Sequence, residues 1–105
     1  MRQMRPREVV AHLAGGARPV LLDVREPWEA AICSLPGARL VPLRDLPARL
    51  AELDPHAETL VVCHHGVRSY HAARYLESQG FDNVINLSGG MAAWADEVDP
   101  HMSRY

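Results

Sequence analysis

The chain contains no lysine; all eleven of its basic residues are arginine. That excludes a lysine Schiff base, a P-loop lysine and a lysine general base. Cysteine is scarce as well. Cys33 and Cys63 are too few for a disulfide scaffold and form neither a CxxC pair nor a four-ligand zinc pattern. Neither sign of charge dominates: eleven basic residues face thirteen acidic ones, for a net charge of -2. The balance offers no footprint for nucleic acid and no polybasic handle for a membrane surface. No apolar run approaches the roughly 18 residues of a membrane span, and the first ten residues lack the apolar core of a secretory signal. A cytoplasmic protein is expected. Repeats, low-complexity tracts and linkers are also missing, and 105 residues fit one domain over 1–105. The 48% hydrophobic and 23% charged residues that remain are the composition of a globular chain that folds alone.

Strict polar/apolar alternation is absent too. Instead there are short apolar runs at Val20–Val24, Thr59–Cys63 and Val84–Leu87, with a weaker one at Leu40-Val41. Runs that are apolar on both faces suit strands of a parallel sheet with helices on each side. Helical patterns lie between them. Pro6 suits a first helical turn, Val9, Val10 and Leu13 share a face, and Gly15-Gly16 closes the segment. Leu43, Leu46, Leu50 and Leu53 recur at helical spacing, with Asp45 as N-cap and Asp54-Pro55 as breaker. Ser69–Gln79 carries the stripe Ala72, Ala73, Leu76, with Gly80 as stop and Phe81 packing beyond it. A short helix after Gly89-Gly90 carries Ala92, Ala93 and Trp94, and the tail from Asp99 to Tyr105 is expected to fray. Alternating strands and helices predict an α/β domain with a mostly parallel central sheet of about five strands, flanked by helices on both faces.

Ligands of open parallel sheets gather beyond the carboxyl ends of strands. The most apolar run ends at Cys63 and continues as His64-His65-Gly66-Val67-Arg68-Ser69 into a helix. A strand, a tight glycine-containing loop and a helix N-terminus aim backbone N–H groups and a dipole at one point, where a thiol ionises more readily. Arg68 adds a fixed positive charge, and Ser69 can cap the helix or donate its hydroxyl. A buried cysteine is often only a small apolar residue, but Gly66, Arg68 and Ser69 in register favour chemistry. His64 and His65 beside Cys63 do not make a metal site, because adjacent loop residues cannot readily face one ion and no fourth ligand follows.

Four motifs in order carry a resemblance. Leu22-Asp23-Val24-Arg25-Glu26, Leu35-Pro36-Gly37-Ala38, the loop Cys63 to Ser69, and Phe81 through Met91 with Trp94 together resemble the rhodanese-like sulfurtransferases, specifically the small single-domain bacterial type. The resemblance covers nearly the whole chain. It implies that Cys63 takes sulfane sulfur from thiosulfate or a protein persulfide and passes it to a thiol or cyanide. It implies no cofactor, small sulfur anions and thiol acceptors as partners, and room for a sulfur-donor or thioredoxin-like protein. The loop holds six residues from Cys63 to Arg68, as in sulfurtransferases; related phosphatases of this fold carry one more. In this reading the loop amides hold the terminal sulfur, and Arg68 attracts an anionic donor.

The chain also departs from the family pattern. Cys33-Ser34 stands where Gly-His is usual, Ala30 where an aromatic is usual, and His64 where many relatives have arginine. The turn at Pro36-Gly37 is expected to survive. Cys33 reads as a small buried side chain in a setting without positive charge, its alternative being a resolving thiol. Both histidines read equally as solvated loop residues or as catalytic ones. Asp23 and Arg25 read as an ion pair supporting the loop or the next helix. Trp28, Trp94 and Met91 read as packing residues, with an exposed tryptophan as a docking platform the alternative. Two other functions compete: a sulfur-relay or regulatory partner-docking module, and a phosphatase or arsenate reductase using Cys63 and Arg68.

Overall fold

The computed structural model describes residues 1–105. Five strands, β1 Arg2–Met4, β2 Val20–Asp23, β3 Arg39–Leu40, β4 Thr59–Val62 and β5 Val84–Leu87, form one sheet in the order β1-β5-β4-β2-β3. Every pairing is parallel. The helices are α1 Pro6–Ala14, α2 Pro27–Ile32, α3 Leu46–Arg49, α4 Val67–Ser78 and α5 Gly90–Glu97.

Side chains of β4 alternate between two cores, as the pleat requires. Val61 and Cys63 join Leu22, Leu46, Ala72, Ala73 and Leu76 on one face. Leu60 and Val62 join Val9, Ile85, Leu87, Met91 and Trp94 on the other. The sheet thus carries α3 and α4 on one side and α1 and α5 on the other, which is why β2, β4 and β5 read as mostly apolar runs without alternation. The sheet order reverses beside β4, so the chain after Val62 emerges where neighbouring connections leave in opposite directions and a crevice opens.

The structure departs from the sequence reading at several places. β1 was not foreseen; it is a three-residue edge strand whose residues are exposed or half-buried, so no apolar run marks it. The leucine-spaced segment is no single helix. It divides into 3-10 turns at Leu43–Asp45 and Leu50–Glu52 around the one-turn α3, and Asp45 has helical angles with no capping side-chain bond. Pro42 and Pro47 flank the break and cannot donate to a continuous helix. α4 begins at Val67, so Ser69 lies inside the helix and does not cap it. Trp94 and Met91 are buried, but Trp28 is 62% exposed and packs only in part. The tail is not frayed at its end: Tyr105 is docked against the loop that follows β4.

Candidate active site

Cys63 leaves the end of β4 and its side chain is 1% exposed. The Gly66 N–H donates to its Sγ at 3.0 Å, and the Ser69 hydroxyl lies 3.3 Å away. The loop carbonyls are held away from the sulfur. Met91 and Ala92 N–H groups donate to the Cys63 and His64 carbonyls at 2.9 and 3.0 Å, and the Gly66 carbonyl accepts from Tyr70 N–H and Asn86 Nδ2. With carbonyls engaged outward, the first amides of α4, which have no partner within the helix, remain on the loop's inner side. The result is a small positive cradle built from backbone.

Two glycines make this path sterically possible. Gly66 has φ +93, and a Cβ there would lie 2.9 Å from the Gly89 nitrogen. Gly90 passes so close beneath the loop that a Cβ would lie 2.4 Å from both the Cys63 and His64 carbonyl oxygens. The start of α5 is therefore part of the loop's floor.

Arg68 does not present a free fork. Its two terminal nitrogens donate to the two oxygens of Glu29, each at 2.7 Å. The Arg68 partnership, working against burial, holds the Glu29 carboxyl down at about 2. Glu29 also accepts the Glu26 N–H at 3.1 Å, as the third residue of α2 does in a capping arrangement. Asp23 and Arg25 form a second, fully buried pair. Arg25 reaches both Asp23 oxygens, the Cys33 carbonyl at 2.7 Å and the Tyr105 hydroxyl at 3.1 Å. Burial opposes its charge, but the bonds to Asp23 and Tyr105 outweigh it and raise the pKa. Neither arginine is an uncommitted cation, so the anion-attracting role foreseen for Arg68 has to compete with Glu29.

His64 is stacked between His65, 4.0 Å away, and Tyr105, 3.9 Å away. Burial, then the neighbouring His65, lowers its pKa, which favours the neutral imidazole. Val67 lies on the rim and is 64% exposed. Cys33 is half-buried and its Sγ lies 3.8 Å from Arg25 Nη1, so the segment is neither sealed nor free of positive charge, contrary to the sequence reading. It lines a cavity of about 140 Å³ with His64, His65, Met91 and Tyr105; Cys63 is not among its walls.

Three residues of the site escaped the sequence reading: Glu29, Asn86 and Tyr105. Asn86 donates to Gly66 O at 3.2 Å and to Gln3 Oε1 at 2.9 Å while accepting the Ser69 hydroxyl. Its signal was present as one polar residue inside the apolar run of β5. For Glu29 the signal was a glutamate two residues after Pro27, a helix-start pattern that hid a second role. Tyr105 had no local signal.

Comparison with known proteins fits this geometry. The Rhodanese-like domain family matches residues 6–97. A rhodanese-like/PpiC domain-containing protein 12 of Arabidopsis thaliana is 44% identical over 89 residues, 81% of this chain and 30% of that protein. A sulfurtransferase of Allochromatium vinosum is 40% identical over 76 residues, 72% of this chain and 71% of that protein. The chain thus spans under a third of the first relative and most of the second. The crystal structure of a rhodanese-like domain protein from Staphylococcus aureus superposes with a TM-score of 0.85 at 33% identity, covering 93% of this chain and 95% of that one. With the parallel sheet, the cysteine loop at its switch point and the family match over most of its length, the chain belongs to the rhodanese-like domain family.

Proposed function

We propose that the protein is a sulfurtransferase working through a persulfide on Cys63, acting as a single unit over residues 1–105. The observation that carries the reading is the Gly66 N–H aimed at Cys63 Sγ inside a six-residue backbone cradle. The Cys63 thiolate attacks the outer sulfur of thiosulfate; a new S–S bond forms and sulfite leaves with the electron pair of the old one. The persulfide's terminal sulfur then sits among the loop amides, which stabilise its negative charge. An acceptor thiolate, or cyanide, attacks that terminal sulfur, and Cys63 departs as thiolate. Ser69 and Asn86 position the loop, and Arg25 with Asp23 supports the helix α2 that carries Glu29. A loop of six residues favours this reading over a phosphatase or arsenate reductase, whose tetrahedral oxyanion needs a wider ring of amides.

A second reading concerns the donor. Trp28 and Val67 expose large apolar side chains beside the mouth, and Arg68 is bound to Glu29, which favours a protein persulfide, or a thioredoxin-like acceptor, over a small anion. Incubation with thiosulfate, followed by intact-protein mass spectrometry, tests the main reading: one added sulfur on Cys63, removed by cyanide, glutathione or dithiothreitol, is expected. Failure to load from any sulfane-sulfur donor would remove it.

A further inference from the structure

Cys63 is almost fully buried, although a sulfur donor has to reach its Sγ. Tyr105 is docked on the loop that begins at Cys63. Its ring stacks on His64, the residue after the thiol, with the planes 20° apart. Its hydroxyl donates to Glu29 Oε2 at 2.7 Å, the same carboxylate that holds Arg68 at the far end of the loop. Tyr105 thereby contacts the loop directly at His64 and reaches its far end, Arg68, through Glu29. Arg25 Nη1 donates to the same hydroxyl at 3.1 Å, and the Trp28 ring meets Tyr105 edge-on at 5.6 Å.

The strap leading to Tyr105 has few other anchors. Between α5 and Tyr105 the side-chain anchors are Met102, partly buried against the core that includes Val9 and Trp94, and the Arg104–Asp96 ion pair, whose partners are both more than half exposed and which contributes little. Met102 N–H to Asp99 O and His101 N–H to the Asp99 side chain only close a local turn. The position of the last residues therefore depends on the packing of Met102 and, at the loop, on Tyr105, whose hydroxyl makes two bonds to charged groups.

We propose that Tyr105 is a gate over Cys63: seated between His64 and Glu29 it closes the loop's mouth, and a sulfur donor or acceptor gains access by displacing it. The gate takes its purpose from the reading of Cys63 as the reacting thiol, but its test requires no turnover. Rates of Cys63 alkylation by iodoacetamide and by the bulkier N-phenylmaleimide are measured at one pH, by mass spectrometry of the Cys63 peptide, in the wild type, Tyr105→Phe and Tyr105→Ala.

Removing two hydrogen bonds to charged partners and the stacked ring should raise the Tyr105→Ala rate by about tenfold or more. The gain should be larger for the bulkier reagent, and Tyr105→Phe, which keeps the ring, should fall between. Equal rates in wild type and Tyr105→Ala would overturn the gate. So would an equal rise for both reagents accompanied by a large fall in the unfolding midpoint, since that is general loosening of the loop. Faster alkylation in Tyr105→Ala, with no sulfur loading in any variant, would leave the gate standing and remove the sulfurtransferase reading.

Discussion

Glu29 caps the start of α2, binds Arg68 through both oxygens and accepts the Tyr105 hydroxyl, so a single carboxylate joins three parts of the site. Its pKa of about 2, against an ordinary 4.5, has a consequence for acid stability. A depressed carboxyl contributes stability that is complete above its unfolded value and is lost as pH falls through the folded one. Chemical denaturation of Glu29→Gln should therefore show a deficit of roughly 2 kcal/mol at neutral pH, as expected for losing bonds to a charged partner. The gap to wild type should narrow as pH falls from about 4.5 towards 2. A gap that stays constant across that window would mean that Glu29 is not held ionised by Arg68. At Cys63 the expectation is simpler: Cys63→Ser should keep the circular dichroism spectrum and lose all sulfur loading from thiosulfate. The thiol and its loop were legible in the sequence because they are contiguous and their chemistry is local. The partner of Arg68 was not, since Glu29 lies 39 residues away and only folding sets the two side chains together.

Elements meet at the loop through close backbone contacts. Gly90, the first residue of α5, lies against the carbonyls of Cys63 and His64. Gly90→Ala should push the loop from its floor and cut the loading rate at temperatures well below the unfolding midpoint, while far-ultraviolet circular dichroism stays native. An unchanged loading rate would show that α5 does not shape the cradle. Asn86 of β5 ties β1, the loop and α4 together, and it is buried. Asn86→Ala removes the oxygen that accepts the Ser69 hydroxyl and one of the two donors to the Gly66 carbonyl, and should cost about 1–3 kcal/mol in urea denaturation. Helix and strand identities followed from apolar spacing where packing agreed with it. They failed between Leu43 and Glu52, where the spacing is helical but the prolines and the short span admit only single turns.

Across the whole molecule, charge is balanced and committed. The net charge is -2, and Arg25 and Arg68, the two arginines of the site, are paired with carboxylates. No broad field then steers a small anion to the mouth. The second-order rate of loading from thiosulfate should change by less than about threefold between low and high ionic strength, beyond which Debye screening would betray steering. A steep fall with salt would instead indicate that Arg68 leaves Glu29 to meet the donor.

The sequence by itself determined the α/β class, the parallel sheet and the cysteine loop with its glycine, because these depend on short-range spacing and on runs of apolar residues covered on both faces. Lacking lysine, it also assigned every fixed cation to arginine. Only the tertiary structure decided what those arginines hold, that Trp28 stays at the surface while Trp94 is buried, and that Tyr105 returns to lie over His64. Those outcomes depend on contacts between residues far apart in the chain, where side-chain chemistry alone does not specify the partner.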